Sequence, residues 1–261
     1  MSLKQGHTSM DTTTITTNEP KPLEHHMTEP WLVRLMHLVS PSLPTGGFAY
    51  SQGLEWTVEK GWINNETSLE QWLLNVLETG MTHVDIPLLQ RLYRAVEHQD
   101  LTAFTKAAQW VRACRETKEL RNEEEDRGRA MAAIIKELGL CRGSLPPAAQ
   151  KSNHEKWQKA IASSQLAGFA FAAAQWDIPV RRASQGYLWS WLENQVMAAV
   201  KIIPLGQSSG QRVLANLSPA IHTAVAAGLK IETLEQMGNA LPALSMASSC
   251  HETQYTRLFR S

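Results

Sequence analysis

The sequence predicts an all-α fold, a single compact bundle of about nine or ten helices, and three observations predict it. Apolar residues recur at the i, i+3, i+4, i+7 spacing of one helix face from about Glu29 onward. Residues that start and stop helices fall between these stretches. No run of alternating β-branched residues marks a strand in the 261 residues.

In chain order, residues 1–28 come first, as a predicted disordered N-terminal arm. They hold almost no periodic apolar content, a threonine-rich run at 12–17, and Pro20 and Pro22. His25 and His26 there read as solvated. Residues 29–261 form the helical domain. Its first helix aligns Leu32, Leu35, Met36 and Val39. The next aligns Leu69, Trp72, Leu73 and Val76, entered through a capping box of Thr67 with Glu70 or Ser68 with Gln71. Leu89, Leu92, Tyr93 and Val96 mark a third. A fourth, capped by Asp100, carries Phe104, Ala107, Trp110, Val111 and Cys114. Met131, Ile134, Ile135 and Leu138 follow. Segment 142–153, with Gly143, Pro146 and Pro147, reads as the one clear internal loop. The run 167–174 is small and apolar all round, so its helix is expected to be central and closely approached. Val196, Ala199, Val200 and Ile203 mark the next helix, and Ser218-Pro219 reads as an N-cap with proline at the first helical position. Gly61, Gly80, Gly139 and Gly228 stand where helices should stop. Neither a composition break nor a fixed repeat divides the domain.

Bulk chemistry excludes several functions. Formal net charge is zero, from 25 basic and 25 acidic residues. Nucleic-acid and anionic-membrane partners need a clustered basic face and are not expected. Arg127 with Arg129, and Arg181 with Arg182, are too sparse for a DNA-recognition helix. Cys114, Cys141 and Cys250 fit neither a disulfide framework nor a zinc motif, so a cytoplasmic location is expected. The apolar run near 167–174 is too short to span a bilayer, and the N-terminus has no apolar signal core. P-loop, dinucleotide, zinc-protease and nucleophile-elbow motifs are missing, and no cofactor is expected. His83, Asp85, His222 and His251 offer donors suited to a transition metal. They lack any ligand spacing, so a helical metalloenzyme stands as the alternative, beside a helical regulatory or binding domain of another kind.

Four segments are unusual. In 40–55 (SPSLPTGGFAYSQGLE), Pro41 and Pro44 fix the backbone, Gly46-Gly47 permits close approach, and Phe48 and Tyr50 add aromatic surface. This is a rigid connector or a contact surface. Segment 114–129 (CRETKELRNEEEDRGR) places Arg115 and Glu119, and Glu125 and Arg129, at i, i+4. It reads as a solvated charged face or a partner-facing helix. In 200–211 (VKIIPLGQSSGQ), Lys201 closes an apolar helix, where the macrodipole favours a cation; alternatively it presents an ammonium to a partner. The tail 251–261 (HETQYTRLFRS) sets Tyr255, Leu258 and Phe259 around Arg257, a composition that either docks on its own domain or inserts into a partner. Trp189 and Trp191, two positions apart just after Tyr187, point to nearly opposite sides of a helix, so they read as core packing, or as one ring in the core while the other, or Tyr187, faces a partner.

These four segments, in this order across roughly residues 31–261, resemble the urease accessory protein UreF. The resemblance implies a UreF-like domain over 29–261 and a cytosolic, non-enzymatic scaffold for metallocentre assembly. It implies partnership with a UreD/UreH-like accessory protein, homodimerisation, recruitment of the nickel-carrying GTPase UreG, and delivery to apo-urease. Residue by residue, it points to partner-binding roles for Pro44, Gly47, Tyr50, Ser51, Arg115, Glu119, Arg121, Tyr187, Lys201, Gln207, Gln211, His251, Glu252, Tyr255, Arg257, Leu258 and Phe259. Cys250 and His251 form the only adjacent Cys/His pair. Two donors on one short segment support at most weak nickel binding, with His251 the stronger candidate.

Overall fold

The computed structural model describes residues 30–140, 147–238 and 241–261, and these form eleven α-helices with no strand among them. The helices are α1 (Pro30–Val39), α2 (Leu54–Glu59), α3 (Glu66–Val76), α4 (Ile86–Glu97), α5 (Leu101–Ala113), α6 (Lys118–Glu137), α7 (Pro147–Ile161), α8 (Gln165–Gln175), α9 (Val180–Ile202), α10 (Gln207–Gly228) and α11 (Pro242–His251). The arm 1–28, with His25 and His26, lies outside the described residues, as does Cys141.

Helix α8 occupies the centre, as its composition predicts. Residues 166–173 are buried without exception, and α8 packs on α4 and α6. Small residues permit this closeness. A Cβ on Gly168 would stand 2.7 Å from the Cβ of Met131 on α6, and one on Gly128 would stand 2.7 Å from the backbone nitrogen of Ser164. Phe104, Trp157 and Phe171 close the bundle beside α8 with ring centroids 5.0–6.3 Å apart in tilted and edge-on arrangements.

Several local expectations change. The cap of α3 is one residue set earlier than read. Asn65 accepts from the Ser68 amide at 2.9 Å, and Ser68 Oγ accepts from the Asn65 amide. An asparagine with serine three residues on does the same work as the Thr/Glu pattern. Gly61 and Gly139 end α2 and α6 in the left-handed conformation. Gly80 stops nothing: it lies buried within a π-helical stretch, Leu77–Asp85, that joins α3 to α4. There the wide turn lets the Thr82 hydroxyl donate to the Leu77 carbonyl five residues back at 2.9 Å. Pro219 is interior to α10 rather than at its start. Proline leaves the Ala215 carbonyl without its N–H partner, and the Ser218 hydroxyl donates to that carbonyl at 3.0 Å instead. Of the expected loop 142–153, residues 147–153 belong to α7; proline at its first position removes only an N–H that would be unpaired there.

Helix α1 buries Leu38 and half-buries Leu35 and Val39 against α8 and α9. Leu32, Val33 and Met36 stay exposed, so part of the expected apolar face is uncovered.

The α6–α8 approach yields a direct test. Gly128→Ala places a methyl against backbone atoms that cannot rotate away, and should cost roughly 1–3 kcal/mol in urea unfolding. The same change at Gly206, where a Cβ meets nothing within 4 Å, should stay below about 1 kcal/mol.

Candidate functional site

Helix α6 and the turn before it carry charge into the interior. Glu119, Glu123, Glu124 and Arg127 are all buried, so the solvated-face reading of 114–129 does not hold. Burying a carboxylate is costly unless it is paired and hydrogen-bonded, and each of these is. Arg115 donates to Asp85 through both terminal nitrogens, at 2.7 and 3.1 Å, and through Nε to Glu124 at 2.9 Å. The other Glu124 oxygen accepts from the Ser164 hydroxyl at 2.8 Å and the Leu166 amide at 3.0 Å, fixing α6 to the N-terminus of α8. Tyr187 of α9 donates to Asp85 at 3.1 Å. Asp85, at the end of the π-helical stretch, therefore ties α9 to Arg115.

The two adjacent glutamates differ. Burial opposes the charge of Glu124, but Arg115 and the N–H and O–H donors outweigh it and lower its carboxyl below the usual value. Burial raises the Glu123 carboxyl in spite of Arg127, which donates to it at 2.8 Å. Arg115 is held charged by Asp85 and Glu124 against its own desolvation, and burial with Asp85 beside it pushes the Tyr187 phenol well up. Arg127 Nε is buried with no protein acceptor among the described residues, and the Arg127 residue lines a cavity of about 90 Å³ with Gln52, Asp85, Glu123 and Asn194. That is room enough for water.

The second cluster ties the C-terminal tail to this framework. Glu55 of α2 accepts the Leu258 and Phe259 amides at 2.6 and 2.9 Å. His251, fully buried, sits between two carboxylates, with Nδ1 2.7 Å from Glu119 and Nε2 3.3 Å from Glu55. Arg257 donates to the other Glu119 oxygen at 2.7 Å. The Ser51 amide and hydroxyl both donate to the Ser261 carbonyl, at 2.7 and 2.5 Å, and the Arg260 amide donates to Ala49. Gly53 is required where the 40–55 turn meets α11: its φ is +81°, and a Cβ would stand 2.7 Å from the Ser248 nitrogen. Gly47 likewise leaves room for Asn194 and Arg127. Glu252 accepts from the Lys118 amide, placing a carboxylate at the N-terminus of α6.

The residues singled out from the sequence thus fall into two groups. Tyr50, Ser51, Glu119, Tyr187, His251 and Phe259 are buried, and Arg115 is enclosed between Asp85 and Glu124. Tyr50 donates to Asp126 at 3.1 Å, and Arg121 straps the Arg115 and Glu116 carbonyls. Lys201, Tyr255, Arg257 and Leu258 face outward. Lys201 Nζ lies 5.7 Å from the Phe259 ring centroid, a cation–π distance. Pro44, Gln207 and Gln211 are exposed and join neither cluster by a side-chain hydrogen bond among the described residues. Both His251 nitrogens face carboxylates, and half-buried Cys250 is a free thiol. Among the described residues no group of three or more His, Cys, Asp or Glu is arranged to hold a metal. His83 instead contacts the Glu78 and Thr79 carbonyls, and His222 pairs with Gln185. No helix of the described residues is long and apolar enough to cross a membrane. Sequence reasoning gave no site role to Gln52, Glu55, Glu123 or Glu124. The one available signal was the density of acids in 119–126, too many for simple i, i+4 pairing.

Residues 63–218 match the family model described as UreF. Urease accessory protein UreF of Alcanivorax borkumensis is 47% identical over 230 residues, covering 87% of this chain and 97% of that protein. The proteins of the same name from Alkalilimnicola ehrlichii and Pseudomonas putida W619 are 44% and 42% identical, over 87% and 88% of this chain and 95% and 97% of theirs.

Arg115→Ala leaves Asp85 and Glu124 buried without their cation. Unfolding at neutral pH should lose about 3–5 kcal/mol. Because the folded Glu124 carboxyl is lowered, its stabilising contribution is present above the unfolded value and is lost as pH falls through the folded one. The gap between wild type and Arg115→Ala should therefore narrow in acid. Urea titrations at pH 7 and pH 4 check the sign.

Proposed function

The chain belongs to the UreF family of urease accessory proteins, and we propose that it serves urease maturation as a non-catalytic scaffold. In this reading it pairs with a UreD/UreH-like protein and self-associates. The assembly recruits and regulates the nickel-carrying GTPase UreG, and presents it to apo-urease.

One observation supports this most. Segments 40–55, 114–129, 200–211 and 251–261, remote in sequence, are joined by the Ser51–Ser261, Glu119–Arg257 and Lys201–Phe259 contacts. Their buried members order the backbone. Phe48, Lys201, Tyr255 and Leu258 remain outside as aromatic, aliphatic and cationic groups, 59% exposed at Phe48 and 64% at Leu258. Interface hot spots have this character: aromatic anchors beside cations on a rigid frame. The exposed apolar side of α1 is a suitable seat for a second copy.

The tail must do two jobs in this reading. Phe259 anchors it inward, and Tyr255 and Leu258 meet the partner. Deleting the tail would remove both functions, so point variants separate them better. Tyr255→Ala with Leu258→Ala should weaken binding to the UreD/UreH-like protein by about 30-fold, or ~2 kcal/mol, with helical content and unfolding midpoint unchanged. Lys201→Ala should retain that binding and lower urease activation. Unchanged affinity and activation in folded variants would refute the assignment of this surface.

A further inference from the structure

A cleft of about 380 Å³ opens between α4, α5 and the segment 231–234, away from the residues assigned above. Its floor is apolar, from Leu88, Ala107 and Ile231, and Trp110, 39% exposed, stands on one side. Arg91, Arg94 and Lys106 line it; Arg91 attracts the Glu235 carboxylate electrostatically, and no salt bridge among the described residues engages Arg94 or Lys106. Arg91 donates to the Glu232 carbonyl, while its Nε–H is enclosed without an acceptor. Arg94 and Lys106 are exposed, and their side chains have no hydrogen-bond partner among the described residues. Two carboxylates lie at the cleft, Asp100 and Glu232. Asp100 is engaged by the Ala103 amide at 2.9 Å as the cap of α5. The cations therefore outnumber the available acids.

We propose that this cleft is an anion-binding site, for a carboxylate or phosphate group attached to a small apolar or planar body. The volume lies within the range of small-ligand pockets. The guanidinium groups suit the paired oxygens of either anion. The apolar floor and the Trp110 ring accept the rest of the ligand. Two sources share this chemistry: a free organic anion, and an acidic side chain of a protein partner.

The test uses the full chain. Citrate and, separately, pyrophosphate are titrated at constant ionic strength, following backbone amide shifts of residues 88–110. Saturable shifts centred on Arg91, Arg94, Lys106 and Trp110 are expected, with half-saturation below about 1 mM. Arg94→Ala with Lys106→Ala, both exposed positions, should fold normally and bind at least about tenfold more weakly. Shifts that rise linearly without saturating, or that persist unchanged in the double variant, would overturn the proposal. The source follows from the same variant. Weakened assembly with the accessory partners, and competition by citrate in the wild type, identifies a partner's carboxylate. Normal assembly alongside lost citrate binding identifies a free anion.

Discussion

Carboxylates inside α6 and at the end of the π-helical stretch dictate much of the architecture around them. An ionised carboxylate in a protein interior needs a counter-charge and several donors, or it is lost at a cost of several kcal/mol. Glu124 obtains them from Arg115, Ser164 and the Leu166 amide. That requirement fixes three things together: the turn before α6, the start of α8, and, through Asp85, the position of α9. Gly128 and Gly168 then let the helix carrying these charges approach the apolar centre closely enough for the bonds to form. Polar demand and small-residue packing act on the same helix pair.

Glu119 and Glu55 extend the same logic to the tail. They accept from His251, from Arg257 and from two tail amides, so the last residues are held by charge-assisted bonds and the single apolar anchor Phe259. A tail held chiefly by acceptors on the body has a defined backbone course, and its other side chains are free to point outward. Rigid presentation of exposed aromatic and cationic groups lowers the ordering cost of an interface. Such a tail suits a scaffold better than a flexible arm that must be ordered at each encounter.

The fold was legible in the sequence where periodicity, composition and caps agreed: the central α8, the Asp100 cap, the glycine stops at 61 and 139. It was misread where one residue type can serve two ends. Ser218-Pro219 has the composition of a helix start, yet a serine hydroxyl can equally repair an interior proline. Gly80 has the identity of a stop but sits buried in a wide turn. The site was half legible. Motif residues stood out, but spacing left open whether they face the core or a partner, and Tyr50, Glu119, Tyr187 and His251 lie inside. Local spacing reports i, i+4 neighbours; it cannot report that Arg115 reaches Asp85 thirty residues back, or that Glu55 meets the tail. Glu123 and Glu124 looked solvated because runs of acids usually are.

Buried carboxylates hold the tail and the 40–55 turn as one unit. Amide hydrogen exchange in the wild type and in Glu55→Ala tests it most directly. Leu258, Phe259, Arg260 and Ser51 should be protected in the wild type and should lose that protection together in the variant, while the amides of α8 keep theirs. Tail amides that exchange freely in the wild type, or that stay equally protected without Glu55, would contradict the account.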